Sequence, residues 1–381
     1  MGQSLDIDRL IDLGVRYLHA AYREEDGLYP FKIVHKEGTL QKVGISVRYS
    51  AISAIGLYRA TAHGIPLNFD ANRIVALLVD RLPQITNIGD LGLICWAVAI
   101  GNSDDGEQIL TAIEHYGEFN VRKGTRNYAS MELQWLLIGL CYLYPQCSSK
   151  ARIELLITRC HEKLMRNYHP ESGLFSFCSS DDKLTFRQGL KKNLSYFAEQ
   201  IYGIYSLACH YELSGDGRSL SQARRIAETL CAFQGSEGQW CWTYDIETGA
   251  LVEAYPVYSV HQHGMAPMAL LKLSAVKGGE YISQVSRGIG WIFGKNELGA
   301  CMVDWEKAVV WRSIRKGGWL KRVSNINKML CILGLGRPMP PRQAPASGLE
   351  IDYECRPYEI GWMIYAMFEY RRRLRETGDY N

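Results

Sequence analysis

Two kinds of helix alternate along this chain, and the alternation limits the folds open to it. One kind is amphipathic: DIDRLIDLGVRYLHAAY, ARIELLITRCHEKLMRNY and RSLSQARRIAETLCAF. Such helices bury one stripe and wet the other. The other kind is apolar nearly all round and rich in small residues: SVRYSAISAIGLYRATA, DLGLICWAVAIG, YASMELQWLLIGLCYLY, NLSYFAEQIYGIYSLACHY, MAPMALLKLSA and YEIGWMIYAMFEY. A helix of that kind must be surrounded by protein. Outer, inner, outer, inner, six times over, is what a closed ring of helical hairpins needs.

The periodicity predicts helices over 5–23, 46–62, 70–83, 89–101, 105–117, 128–144, 149–167, 193–212, 217–234, 264–276, 279–294, 322–334 and 353–376. Strand signals are sparse, with short extended pieces expected near 28–34, 174–187, 239–260 and 300–313. The fold class is therefore all-α. Three inner helices align on Gly56, Gly139 and Gly203, with Tyr49, Glu132 and Tyr196 seven residues earlier. Seven residues is two turns, so each pair shares a face. The loops EEDGLYPF, HPESGLFSF and GSEGQWCWTYD echo one another, each following an outer helix and preceding an inner one. Inner helices start unevenly, near 46, 89, 128, 193, 264 and 322, which favours a closed toroid with decorated loops over a uniform solenoid. The Pro-rich stretch LGRPMPPRQAPASG (335–348) reads as a linker inside a single domain spanning 1–381, with the last apolar helix packed back on the ring.

This arrangement resembles the six-hairpin, or (α/α)6, toroid superfamily. That group includes glycoside hydrolases, polysaccharide lyases and sugar epimerases; a sister architecture carries terpenoid cyclases. The resemblance spans nearly the whole chain and rests on architecture. No family motif matches residue by residue, so no catalytic residue is carried over.

Composition narrows the function classes. Net charge is +3, too small to imply a nucleic-acid partner. No apolar run reaches the roughly 18 residues of a membrane span. The N-terminal MGQSLDIDRLIDLG is acidic and amphipathic, without the apolar core of a signal peptide. The 11 cysteines are scattered singly, without C-x-x-C, so a reducing, cytoplasmic setting is expected. P-loop, dinucleotide-binding and nucleophile-elbow motifs are absent, as are D-x-D-D and D-D-x-x-D, and no cofactor or resident metal is called for.

The candidate chemistry gathers before the inner helices. Pro267 suits the first turn of a helix starting near Ala266, which leaves EAYPVYSVHQHG as an extended lead-in. Alternation along it would put Glu253, Tyr255, Val257, Ser259, His261 and His263 on one face, whereas a regular helix would set the two histidines about 200° apart. Both histidines are then candidate bases or charge stabilisers; each alone could as well bond a backbone carbonyl. His-x-His could also begin a zinc site, but Asp245, Glu253 and Asp304 lack diagnostic spacing for the remaining ligands.

Glu132 and Glu199 lie in apolar helices, where a carboxyl must pair or take up a proton, and Arg48 is the candidate partner. The loop acids Asp245 and Asp304 stand beside aromatics; a turn-forming role is the competing reading. Trp240, Trp242, Tyr244, Trp305, Trp311 and Tyr358, in or near the loops between helices, offer flat faces to a sugar ring or a carbocation. The expectation is acid–base chemistry (hydrolysis, elimination or epimerisation) on an oligosaccharide or uronic-acid-like substrate. His261, His263, Asp245 and Glu132 would be catalytic. Arg48, Tyr49, Tyr196, Glu199, Trp240, Trp242, Tyr258, Asp304 and Trp311 would bind substrate. A terpenoid-cyclase-like cavity and a non-enzymatic docking toroid are the alternatives.

Overall fold

The computed structural model describes residues 3–36, 39–116, 128–178, 193–318 and 346–378. Six hairpins of helices follow one another through them. The outer helices are α1 (Gln3–Ala21), α3 (Ala71–Asp80), α5 (Gly106–His115), α7 (Lys150–Met165), α9 (Gly217–Ala232) and α11 (Ile282–Ile292). The inner ones are α2 (Val47–Ala62), α4 (Ile88–Gly101), α6 (Ser130–Leu143), α8 (Phe197–Ser214), α10 (Ala266–Ala275) and α12 (Pro357–Thr377). Each inner helix packs on the next, α2 on α4, α4 on α6, then α8, α10 and α12, and α12 returns to α2. The ring is closed, and the fold is an all-α toroid.

Burial follows the two helix types. α4 buries residues on every side from Ile88 to Ala99, while α9 buries one stripe, Ser219, Ala223, Ile226, Ala227 and Leu230. Glycines let inner helices meet backbone to backbone. A Cβ on Gly139 would lie 2.2 Å from the carbonyl oxygen of Gly92, and one on Gly56 would lie 2.4 Å from that of Gly361. Two of the three aligned glycines thus mark real contacts between inner helices. Gly203 faces the ring of Phe175 instead.

The sixth inner helix differs from expectation. α12 closes the ring in the place given above to 322–334, a stretch that lies outside the described residues, as does most of the Pro-rich 335–348. The reason is apolarity: Ile360, Trp362, Met363, Ile364, Ala366 and Met367 are all fully buried, which requires an interior place.

Short antiparallel sheets feed the inner helices at one end. Leu194–Tyr196 pairs with Thr243–Asp245 and leads into α8. Val257–Tyr258 pairs with Ser313–Lys316 and leads towards α10. Glu354–Cys355 pairs with Lys32–Lys36 and leads into α12. These strands therefore gather at the N-terminal mouth of the ring. The described cysteines are all unpaired, and no described helix is long and apolar enough to cross a membrane.

Candidate functional site

The N-terminal ends of the inner helices converge on a cavity of about 190 Å³. A register appears there that the glycine alignment only half captured. The second residue of α2, α6, α8 and α12 faces the cavity: Arg48, Met131, Ala198 and Tyr358. The third residue of α4, α6, α8 and α12 is an acid: Asp90, Glu132, Glu199 and Glu359. An acid in the first turn is stabilised by the positive end of the helix dipole and can accept the orphan N–H groups there. Glu132 accepts the backbone N–H of Ala129 at 3.2 Å, and Glu199 accepts that of Tyr196 at 2.9 Å. Their first role is to cap their own helices.

The expected Arg48–Glu132 or Arg48–Glu199 pair is not formed. Arg48 donates from Nε to Asp90 at 2.7 Å and lies 4.9 Å from the Trp135 ring centroid. Glu132 instead accepts from the Asn87 side chain at 2.6 Å. The physical reason is register: Asp90 opens the neighbouring helix, whereas the carboxyl of Glu132 turns back towards its own helix start.

The opening stretch, EAYPVYSVHQHG, is corrected in its second half. It is extended only to Tyr258; helix begins at Ser259, and His261–Met265 forms a π-turn running into α10. Pro267 explains this. Its missing N–H leaves a gap in the hydrogen-bond ladder inside the helix, and the Ala266 N–H reaches back to the His261 carbonyl. Proline thus sits within the helix instead of at its start, and the histidines do not share a face. His261 lines the cavity; His263 does not. Both are buried, at 2% and 1% exposure. Burial pushes the His261 imidazole down to about 3, with the Arg312 guanidinium and His263 adding to the effect. Burial alone pushes His263 to about 3. Both are neutral near pH 7.

Around His261 the walls are aromatic. Trp242 stacks on it at 5.6 Å and 16°, Tyr258 stands edge-on at 5.2 Å, and Phe197 lies behind at 4.4 Å. Trp135 and Tyr202 cover another side. Tyr49 and Tyr358 stack at 4.5 Å, and the exposed Phe31 continues that stack outward at 5.4 Å.

A second guanidinium reaches the cavity from the extended link just before the strand Ser313–Lys316. Arg312 lies 5.0 Å over the Tyr258 ring, donates to Glu354 at 3.0 Å, and stands 3.4 Å from Glu359. Glu354 also accepts from Arg356 at 2.5 Å, and Arg356 donates to the Tyr49 hydroxyl at 3.0 Å. Burial pushes the Glu359 carboxyl up to about 7 against the opposing pull of Arg312 and Arg356. Sequence reading missed Arg312, Glu354, Arg356 and Glu359. The recurring acid at the third helical position was visible in SMEL, FAEQ and PYEI, and it would have found Glu359. Arg312 hid behind its neighbour. Adjacent residues in extended chain face opposite ways, so Trp311 packs edge-on against Tyr353 at 5.1 Å while Arg312 turns inward.

The structure thus brings Arg48, Tyr49, Trp242, Tyr258 and His261 to one cavity. The other proposed residues lie elsewhere. Asp245 accepts from the backbone of Glu247 and Thr248 and the Thr248 hydroxyl, which makes it a turn former. Asp304 does the same at another turn, accepting from Lys307 backbone and side chain. Trp240 is fully buried against Phe197, and Tyr196, which does not line the cavity, packs against Trp242 at 5.4 Å. Neither His261 nor His263 belongs to a possible metal cluster. Among the described residues such a cluster is formed by His161, His210 and Asp216, none of which lines the cavity, tied together by the Ser219 hydroxyl.

No protein-family model matches the sequence, and no curated protein matches it. Solved structures do. An unsaturated glucuronyl hydrolase specific for heparin superposes with a TM-score of 0.63 at 14% identity, covering 98% of this chain and 97% of that one. The unsaturated glucuronyl hydrolase of Bacillus sp. GL1, responsible for glycosaminoglycan degradation, gives 0.61 at 11% identity over 98% and 97%. A polysaccharide lyase gives 0.58 at 10% identity over 99% of both chains. At these identities the likeness speaks for architecture, and the chain is an (α/α)6 toroid built on the plan these proteins share.

Proposed function

We propose that the chain is a carbohydrate-active enzyme that performs acid–base chemistry on a sugar bearing a carboxylate, in the cavity at the N-terminal mouth. The observation carrying this is the pair Arg48 and Arg312, both lining one aromatic cavity into which helix N-termini point. Guanidinium groups bind carboxylates in fixed, often bidentate geometry, and helix N-termini add positive potential. Trp135, Trp242 and Tyr358 supply flat faces for a pyranose ring. Asp90 holds Arg48, and Glu354 with Glu359 holds Arg312.

His261 is the proton-transfer group. It is neutral, lines the cavity, and its buried Nδ1 has no hydrogen-bond partner among the described residues. A substrate carboxylate seated on Arg312 would offset the guanidinium's effect and raise the imidazole's basicity, so proton acceptance is matched to substrate binding. The structural neighbours that hydrolyse unsaturated glucuronyl groups make such a uronyl residue the first substrate to try. A carbocation cascade fits less well, since two guanidinium groups would repel the intermediate.

The test is incubation with unsaturated uronyl disaccharides from heparin, chondroitin and xanthan, following the ultraviolet absorbance of the conjugated C4=C5 bond. Consumption of the chromophore by the native chain, with KM raised at least tenfold in Arg48→Gln and Arg312→Gln, is expected. Growth of the chromophore on intact uronic-acid polysaccharide would assign elimination instead. No turnover and no binding of any uronide would refute the proposal.

A further inference from the structure

The opposite end of the ring holds a second cavity, of about 440 Å³, within the usual range of small-molecule sites. All six inner helices line it, α2, α4 and α6 through their C-terminal turns and α8, α10 and α12 from their middles onward. Its floor is a triangle of phenol hydroxyls: Tyr142 to Tyr205 at 2.6 Å, Tyr142 to Tyr365 at 3.0 Å, and Tyr205 to Tyr365 at 2.8 Å. A closed triangle uses one O–H and one lone pair per oxygen, which leaves a lone pair on each for an incoming hydroxyl donor. An aromatic layer divides this cavity from the first. Trp96 stacks against Tyr142 at 5.4 Å, Tyr205 at 5.3 Å and Trp362 at 5.1 Å, and Trp362 lies 6.2 Å from Tyr202 in the wall of the first cavity.

Charge at this mouth is unbalanced. Arg59, Lys272 and Arg372 line it, against one lining carboxylate, Glu369. Glu369 accepts from Arg372 at 2.5 Å, and Glu212, outside the lining, pairs with Lys272 at 2.5 Å. Basic residues near helix C-termini are stabilised by the dipole alone, which accounts for their presence here. It accounts for Arg59 too, in the last turn of α2, but it supplies no acceptor for that side chain's Nε. That side chain stands 3.9 Å from Glu369, and its Nε is buried with no hydrogen-bond partner among the described residues. A buried donor on a charged group is costly unless something accepts from it.

We propose that this mouth is a second ligand site, in which Arg59 and Lys272 bind the anionic group of a small polyol and the tyrosine triangle receives its hydroxyls. The class is a monosaccharide carrying a carboxylate or a phosphate. The proposal stands apart from the reading of the first cavity.

Calorimetric titration of the full chain with glucuronate and with glucose 6-phosphate tests it. The titrations are made in the Arg48→Gln background, which weakens the first cavity. At least one of the two anions is expected to bind there. Adding Arg59→Gln or Lys272→Gln should weaken that binding about tenfold or more, the worth of one charged hydrogen bond. Tyr205→Phe should weaken it several-fold while leaving the anion preference unchanged. Unmodified glucose should bind far less well than either anion. Preference for one anion over the other identifies its source and supports the site. Arg59 is partly exposed, so Arg59→Gln is expected to melt with the parent chain. Absence of binding by both anions would overturn the proposal, and so would unchanged binding in Arg59→Gln and Lys272→Gln. If Arg59→Gln alone, with Arg48 intact, abolishes all glucuronate binding, the first cavity's reading fails and this one stands.

Discussion

Replacing His263 by leucine tests the claim that this histidine is a buried, neutral, unpartnered ring. Neither of its nitrogens has a hydrogen-bond partner among the described residues. Leaving a buried polar group unsatisfied costs about 1–3 kcal/mol, and a leucine of similar bulk removes that cost at a packing loss below about 1.5 kcal/mol. A gain of about 1 kcal/mol in unfolding free energy is expected near pH 7.5. The sharper part is the pH dependence. The folded-state value, about 3, lies below the ordinary 6.5. A group depressed in this way contributes stability that is present above the unfolded value and is lost as pH falls towards the folded one. At pH 5 the unfolded chain takes up the proton and the native chain does not. That costs the parent protein about 2 kcal/mol which the leucine variant does not lose. Urea unfolding of both proteins at pH 7.5 and pH 5 measures the gap, which should widen by about that amount on acidification. A gap that stays constant, or narrows, would refute the assignment and return His263 to a hydrogen-bonded or charged role.

Other outcomes follow from the same structure. Glu359→Gln should show the opposite trend. Its folded value, about 7, lies above the ordinary 4.5, so the parent's stability is full at low pH and falls as pH rises through 7. Relative to the variant the parent should lose about 3 kcal/mol between pH 4.5 and pH 8, read by urea unfolding; no pH-dependent difference would mean that the carboxyl is ordinary. Gly139→Ala should destabilise by about 2–4 kcal/mol, because the new methyl meets the Gly92 carbonyl in the α4–α6 contact. Gly217→Ala, at an open position opening α9, should be neutral or slightly stabilising. Trp242→Ala should weaken uronide binding by about 1 kcal/mol or more, measured calorimetrically, through loss of a stacking face; unchanged affinity would remove Trp242 from the site.

Periodicity reached the ring because helix type is a local property. Whether a helix is apolar on one side or on all sides is written in its own residues, and twelve such helices in alternation leave few arrangements. The expected spans 46–62 and 89–101 match α2 and α4 within one residue for the same reason. The chain of 353–376 was legible as an inner-type helix packed back on the ring, but its position between α10 and α2 was not, since apolarity demands burial without saying against what. The site was legible in part. Arg48, Tyr49, Trp242, Tyr258 and His261 stand out in sequence as polar or aromatic groups at the mouths of apolar helices, and they meet. Asp245 and Asp304 stand out equally, and they only form turns.

The sequence by itself therefore determined the twelve described helices of the ring, their inner and outer kinds, and the ends at which chemistry collects. The tertiary structure decided which neighbours share a space. Arg48 chose Asp90 over Glu132, the π-turn at Pro267 sent His261 and His263 to different sides, and alternation along an extended link turned Arg312 inward and Trp311 away. The physical reason is range. Burial and capping are settled within a few residues, but ion pairs, stacking partners and the lining of a cavity depend on the registers of helices far apart in the chain, which only closure of the ring fixes.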